Sequence, residues 1–153
     1  MSQTEKARGR YFEEFEIGDA MVAGEHVVTE EEIMAFARLT GDDNPMHTDP
    51  EYAETHMFGR QVAHGLLVLS MALGLSWQLG FMQETVLAFR DLKWKFSRPV
   101  FIGDRIRVRA VVHQRKAMPR LGGGAVILDV RVLNQYDDVV QRGKWNVLVK
   151  SKK

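Results

Sequence analysis

One uncharged, apolar stretch constrains the fold of this 153-residue chain more than any other feature. It covers residues 63–80, and no charged residue occurs between Gly65 and Gln83. Apolar side chains fall on every side of a helical projection, whereas a helix on a protein surface has a polar face. We therefore expect a long central helix that other parts of the fold surround.

A membrane span is the competing interpretation, because about 20 consecutive apolar residues can cross a bilayer. Glycines and polar residues interrupt the stretch, among them Gly74, Ser70, Ser76 and Gln78. The chain contains no second stretch of this kind. We favour a buried helix, and we expect no association with a membrane.

The start of this helix has its own chemistry. Gly65 has no side chain, so a ligand can approach the backbone N–H groups that the first turn of a helix leaves unpaired. These groups carry partial positive charge and suit an anion or a developing oxyanion. The sequence therefore predicts that the open end of the helix forms part of an active site.

The composition narrows the class of protein. With 21 Lys and Arg against 20 Asp and Glu, the net charge of +1 predicts no general attraction to nucleic acid. The absence of cysteine excludes disulfides and thiolate metal sites and fits a cytoplasmic location. Residues 1–10 lack the apolar run of a signal peptide. We expect one domain over residues 1–153, with loose ends at about 1–10 and 150–153.

Capping signals mark the elements of the first half. Residues 20–28 are expected to form a strand. Thr29 and Glu32 have the spacing of a capping box, so a helix follows, and Gly41 is suited to end it. Residues 49–54 predict a short helix, because aspartate is a good N-cap and proline fits the first turn.

The second half alternates apolar and polar residues with a period of two, which indicates strands with one buried face. The apolar positions are Leu92, Trp94 and Phe96; Ile106, Val108, Ala110 and Val112; Val126, Leu128, Val130 and Val132; and Val139, Gly143, Trp145, Val147 and Val149. Together with the first strand they predict a five-stranded antiparallel sheet with one dry face. Such a sheet can curl around the apolar helix, which gives an α+β fold.

The segment between the first two helices carries the candidate chemistry. Asp42 and His47 are five residues apart, and Pro45 restricts the backbone between them to a defined turn. Such a turn can direct a carboxylate and an imidazole at one water, as a general acid/base pair requires. Asn44 is expected to hold the turn through its amide. On spacing alone, a purely structural turn is the stronger explanation of these residues.

Two further interpretations use neighbouring residues. His47, Asp49, His56 and His64 could ligate a metal by residue type, but no helical or strand spacing links them, and we expect no metal site. With the helix start at Gly65, the turn instead supplies an acid, a base and an oxyanion site. Those are the parts needed to add water to an activated double bond.

Residues 40–49 and 62–65 together resemble the MaoC-like (R)-specific enoyl-CoA hydratases and 3-hydroxyacyl thioester dehydratases of the hot-dog superfamily. The shared features are a Gly-Asp-x-Asn-Pro-x-His motif and a His-Gly pair that opens the central helix. The similarity extends over about residues 15–149. It implies a hot-dog fold, in which a curved five-stranded antiparallel sheet wraps around a long central helix. It also implies at least a homodimer with its sites near the subunit boundary.

The resemblance also implies roles for individual residues. Asp42 and His47 match the catalytic acid/base pair, and Gly65 matches the residue whose N–H polarises the thioester carbonyl. Asn44 and His64 match positions that shape the site.

The lining of the acyl pocket follows the family less closely. Some members carry a serine about two turns into the central helix, where this chain has Leu73 and Gly74, with Ser70 one turn earlier. Met57 and Phe58 are candidates for the pocket wall. The preferred length of the acyl chain therefore stays open.

The implied activity is reversible hydration of a trans-2-enoyl-CoA, or of an acyl-carrier thioester, to the (R)-3-hydroxyacyl thioester. Coenzyme A enters only as part of the substrate, and no cofactor is expected. A hot-dog acyl-CoA thioesterase and a non-catalytic acyl-CoA-binding module are the alternatives. Several basic residues could meet the phosphates of coenzyme A, although a solvated sheet face also explains them. These residues are Lys93, Lys95, Arg98, Arg105, Arg107 and Arg109.

Overall fold

Five antiparallel strands form one sheet in the computed structural model of the protein, which describes residues 9–153. The strands are β1 (Ala20–Val27), β2 (Val86–Phe96), β3 (Arg105–Met118), β4 (Gly123–Leu133) and β5 (Val139–Lys150). The helices are α1 (Glu30–Thr40), α2 (Pro45–Thr48), α3 (Pro50–Thr55) and α4 (Gly65–Gln78), and single 3₁₀ turns occur at Phe12–Glu14 and Pro119–Leu121. The strand order is β1-β3-β4-β5-β2, so β1 and β2 are the edges.

The core lies between α4 and the inner face of the sheet. The alternating apolar residues predicted for β3 and β4 are all buried there. Val68 and Ala72 of α4 are fully buried within the same apolar cluster. Each large apolar side chain that this packing removes from water contributes about 1.5–3 kcal/mol. The predicted α+β arrangement of a sheet around a central helix is therefore confirmed.

The predicted helix boundaries follow local hydrogen bonds. The Thr29 hydroxyl accepts from the N–H of Glu32 at 3.2 Å, and the Glu32 carboxylate accepts from the N–H of Thr29 at 2.9 Å. Gly41 ends α1 with φ of 83°, a conformation that glycine adopts without strain. Asp49 caps α3 through its carboxylate. All three boundary predictions are confirmed.

The structure corrects the expectation that every predicted apolar face is covered by the chain itself. Leu92 and Phe96 of β2 are 43% and 53% exposed, and Leu66 begins an exposed stripe along α4. The period of two shows which residues share a face, but β2 is an edge strand and the backbone of α4 lies closest to β1 and β3, at the other side of the sheet. The all-round enclosure of α4 is wrong for the single chain.

A register shift changes the predicted face of β5. Leu133 pairs with Val139, but Val132 pairs with Gln141, so Val140 is an extra residue in the strand. Val140 is fully buried, whereas Val139 is only half-buried. The extra residue brings Val140 inward in place of Val139, while Gln141 stays on the inner face that the alternation assigns to Gly143 and Trp145.

The chain is hydrogen-bonded further toward both ends than the expected loose termini suggest. The N–H groups of Gly9 and Arg10 donate to the carbonyls of Gln83 and Phe81, both at 2.7 Å. Lys150 belongs to β5. Residues 1–8 lie outside the part that the structure describes. Within residues 9–153, no helix is both long and apolar enough to cross a membrane.

Candidate active site

The turn before α2 is built by short-range hydrogen bonds. Asn44 caps α2 by accepting the N–H of Met46 at 3.3 Å, and Pro45 occupies the first helical position. The Asp42 carboxylate accepts the N–H of Asn44 at 3.4 Å. Asn44 therefore holds the turn through its amide, as predicted. The turn places His47 in the third residue of a single helical turn.

His47 is buried, and one edge of its ring is committed to the backbone. Its Nδ1 lies 2.7 Å from the carbonyl oxygen of Val62, so Nδ1–H is the donor and Nε2 carries the free lone pair of the neutral ring. Gln61 also donates to the carbonyl of His47 at 2.9 Å. These bonds fix the orientation of the ring, which leaves Nε2 available for chemistry.

His64 joins the turn to the start of α4. Its Nε2 donates to the backbone carbonyl of Asp42 at 2.8 Å. Its ring stacks on the ring of His47 with the centroids 3.9 Å apart. The centroid of the Phe36 ring lies 4.8 Å from the centroid of the His64 ring. The remaining nitrogen, Nδ1, is buried without a hydrogen-bond partner among the described residues. His64 thus holds the Asp42 turn against the helix that begins at Gly65.

These residues form one compact polar cluster. A carboxylate oxygen of Asp42 and one nitrogen each of His47 and His64 all lie within 4.8 Å of one another. Asp49 and His56, considered with them as metal ligands, are elsewhere: Asp49 caps α3, and His56 contacts Phe58. The observed cluster is thus a different set of three, whose residue types could also hold a metal ion. The expectation of no metal stays a prediction.

The surroundings of His47 set its protonation state. Burial lowers the pKa of the imidazole below its ordinary value, and the neighbouring rings of His64 and His56 act in the same direction. The hydrogen bond to Val62 and the Asp42 carboxylate oppose this shift without reversing it. The neutral imidazole is therefore favoured near pH 7, and this is the form that can accept a proton.

Gly65 begins α4 directly beside this cluster. No side chain among the described residues caps the first turn of α4, which His64 precedes as N-cap. A Cβ atom at position 65 would lie 2.7 Å from the ring of Phe96. A larger residue at position 65 would therefore displace the ring of Phe96, whereas glycine also gives a ligand access to the backbone.

Gln141, which the sequence analysis did not identify, connects this helix start to the sheet. The side chain is only 1% exposed. Its Nε2 donates to the carbonyl of Gly65 at 3.1 Å, and its Oε1 accepts from Nε1 of Trp94 at 2.8 Å. A buried amide with both ends paired holds its partners rigidly. A single glutamine within an apolar strand is the signal that could have revealed it.

A cavity of about 430 Å³ adjoins the cluster and the helix start. Its lining is mainly apolar and includes His47, Gly65 and Gln141. Phe58 lines the cavity as predicted, whereas Met57 is 83% exposed and does not. Asp42, Asn44 and His64 are not among the residues that line the cavity, although Asp42 and His64 lie in one cluster with His47. Of the six basic residues considered for coenzyme A, Arg98 alone lines this cavity.

Comparisons with known proteins show the family to which this chain belongs. Residues 14–130 match the family described as the MaoC like domain, and the chain belongs to this family. It is 37% identical over 81 residues to the (R)-specific enoyl-CoA hydratase of Aeromonas caviae, covering 53% of this chain and 59% of that protein. It is 34% identical over 116 residues to 3-hydroxyacyl-thioester dehydratase Z of Mycobacterium tuberculosis, covering 70% of this chain and 75% of that protein.

The fold has known counterparts as well. A Mycobacterium tuberculosis protein with a double hot-dog fold superposes with a TM-score of 0.82, covering 94% of this chain and 45% of that one at 18% identity. This similarity confirms the hot-dog fold. The chain spans only part of several curated relatives, from 59% of the length of one down to 34% and 14% of two others.

We expect Gln141→Leu to lower the free energy of unfolding by about 1–3 kcal/mol, because it leaves the Gly65 carbonyl and the Trp94 indole without their partner. Urea unfolding followed by circular dichroism measures this change. Gln114→Leu, at an exposed position of β3, is the control and should shift stability by less than about 0.5 kcal/mol. Equal effects of the two substitutions would contradict a structural role for the buried amide.

Proposed function

We propose that this protein catalyses the reversible hydration of trans-2-enoyl thioesters to (R)-3-hydroxyacyl thioesters. The observation that carries this proposal is the approach of the Asp42 carboxylate to the His47 imidazole, within 4.8 Å, beside a cavity that also contains the start of α4. A hydratase needs an acid/base pair opposite a group that stabilises an enolate oxygen. The names of the hydratase and dehydratase relatives support the same reaction.

In the proposed mechanism, the thioester carbonyl accepts a hydrogen bond from the N–H of Gly65. Polarisation of the carbonyl makes C3 of the enoyl group electrophilic, and the partial positive charge of the helix start stabilises the enolate that forms. A water between Asp42 and His47 attacks C3 and gives one proton to the pair. The pair returns a proton to C2, and the reverse sequence eliminates water from the (R)-3-hydroxyacyl thioester.

The two members of the pair contribute differently to this step. His47 has its Nδ1–H engaged with Val62, so Nε2 of the neutral ring receives the proton of the attacking water. Its lowered pKa keeps the ring neutral at the start of the reaction. The Asp42 carboxylate accepts the second hydrogen bond of the same water and orients it.

The cavity supports an acyl substrate. Its apolar lining, which includes Phe58 and Val68, suits the hydrocarbon part of an acyl chain. Coenzyme A or an acyl-carrier arm would extend from the cavity mouth as part of the substrate, and the reaction requires no further cofactor. The cytoplasmic location expected from the sequence stays a prediction.

We expect Asp42→Asn and His47→Gln each to reduce hydration of crotonyl-CoA by at least about 100-fold, because each removes one member of the acid/base pair. Loss of enoyl-thioester absorbance measures the rate, and circular dichroism verifies the fold. Asp43→Asn is the matched control, since Asp43 is an exposed neighbour outside the cluster and its replacement should change the rate by less than about twofold.

Hydration rates, thiol release and binding together separate the alternatives. Near-normal rates for both substituted proteins would refute the catalytic assignment. Release of free thiol from acyl-CoA would identify a thioesterase. Tight binding of acyl-CoA without turnover would identify a non-catalytic binding module.

We expect the acid limb of the kcat/KM profile to lie below about pH 6.5, the ordinary pKa of histidine. The folded protein lowers the pKa of His47, so the proton-accepting neutral form persists to lower pH and is lost only as the pH falls through that value. Initial rates between about pH 5 and 9 measure this limb. His26→Asn should leave it in place, because His26 pairs with Glu32 away from the site. A limb centred above pH 7 would contradict the assignment.

We also infer that the protein forms a homodimer through the edge strand β2. Unpaired edge strands with exposed apolar side chains favour pairing with another chain. Leu92 and Phe96 of β2 are exposed, as is Leu66 of α4. Phe96 and Leu66 also line the cavity, so a second copy seated on this edge would close the substrate site.

We expect Leu92→Asp to convert the dimer to a monomer at micromolar concentration, because the new carboxylate would be buried without a partner in the interface. Size-exclusion chromatography with light scattering measures the mass. Leu39→Asp, at an exposed position of α1, is the control and should leave the dimer intact. A monomeric wild-type protein would refute the inferred interface.

A further inference from the structure

Four cationic residues face one another directly across four neighbouring strands, on the side of the sheet that is turned away from α4. Arg109 of β3 pairs with Arg131 of β4, and Arg131 pairs with Arg142 of β5. Arg142 in turn pairs with Lys95 of β2. All four side chains are exposed. The register therefore produces an unbroken row of positive charge across the outer face.

A second, shorter row lies beside the first. Lys144 of β5 pairs with Lys93 of β2 on one side and with Asp129 of β4 on the other. We define the outer basic face by the six cations of both rows, which are Lys93, Lys95, Arg109, Arg131, Arg142 and Lys144. The six cations and Asp129 have a formal charge of +5, and Asp91, two residues before Lys93 on the same side of β2, reduces the charge of this surface to +4.

This arrangement is unfavourable in the isolated chain. Directly opposed residues in antiparallel strands have their Cβ atoms about 4.5–5.5 Å apart, and like charges at that distance are destabilising. No member of the outer basic face forms an ion pair with a carboxylate elsewhere in residues 9–153. An anionic partner would remove the repulsion.

Other arginines of the chain do have acidic partners. Arg98 pairs with Asp138 at 3.6 Å, and Arg105 pairs with Glu25 at 3.4 Å. Arg107 pairs with Asp137. The six cations of the outer basic face have Asp129 and Asp91 beside them but form no ion pair within the described residues, so we look for their counter-charges outside the chain.

The net charge of the chain conceals a strong separation of charge. The whole chain carries +1, so the residues other than the outer basic face and Asp129 sum to −4. Residues 30–60, which contain α1, α2 and α3, hold eight carboxylates and two arginines. This acidic layer would repel a long polyanion that extends beyond the sheet. A nucleic acid is therefore a poorer candidate than a short, locally acidic partner.

We propose that the outer basic face binds an acidic α-helix of another protein. Neighbouring strands are about 4.8 Å apart, so the four-residue row spans about 14 Å, and the two rows are about 7 Å apart. Carboxylates at i and i+4 of a helix are about 6 Å apart, which matches this surface. Guanidinium groups bind carboxylates through paired hydrogen bonds, and three of the four residues in the longer row are arginines.

The test measures binding of a fluorescein-labelled helical peptide of alanine and glutamate, with glutamate at i and i+4 spacing, by fluorescence anisotropy. We expect Arg109→Glu/Arg131→Glu to weaken binding at least about tenfold, and added salt to weaken binding to the wild type. Lys116→Glu/Arg120→Glu changes the net charge equally at exposed positions outside this face and should weaken binding less than about twofold.

The double substitution on the outer basic face should leave crotonyl-CoA hydration unchanged, because neither residue lines the cavity or belongs to the acid/base cluster. This activity also verifies that the substituted protein folds. Failure of the hydratase assay in the wild type would not affect the binding result, so the two proposals fail separately.

Four results would overturn the proposal. The first is absence of peptide binding at low salt, and the second is equal weakening by both double substitutions. The third is tighter binding of a single-stranded oligonucleotide than of the peptide.

The fourth concerns the oligomeric state of the protein. A salt-sensitive increase in the mass of the assembly that Arg109→Glu/Arg131→Glu abolishes would identify the acidic layer of a second copy as the occupant.

Discussion

The packing of α4 against the inner face of the sheet determines where every other part of the site can lie. The helix carries no charge, it lies against β1 and β3, and its buried side chains belong to the same apolar cluster as those of the sheet. Because this contact places Gly65 at one end of the sheet, the residues that surround the helix start must come from the turn before α2 and from the ends of β2 and β5. The site exists where these three segments meet.

Each segment holds the helix start by a different interaction. His64 connects the Asp42 backbone to α4 and stacks on His47, while Gln141 binds the carbonyl of Gly65 and Phe96 covers its Cα. Burial of the imidazole and its hydrogen bond to the backbone then give a neutral base of fixed orientation. The polar groups are few, and nearly all are paired, so a small rearrangement would leave buried groups unsatisfied.

The two faces of the sheet differ in composition, although both come from the same alternating pattern of residues. The inner face builds the core, whereas the outer face collects cations in register from four strands. In the strand sequences these cations match the solvated polar face of an ordinary amphipathic strand. The sequence analysis offered that explanation for Lys93, Lys95 and Arg109. Only the strand order and the pairing register show that they adjoin one another.

The sequence by itself determined the features that depend on near neighbours: the capping box of α1, the Asn44-Pro45 turn that brings Asp42 close to His47, and the apolar character of α4. Their hydrogen bonds and periodicities close within a few residues, so local patterns report them. The tertiary structure decided the strand order, the exposure of β2, the stacking of His64 on His47 and the position of Gln141. These depend on contacts between residues far apart in the chain, such as the hydrogen bond from Gln141 to the carbonyl of Gly65.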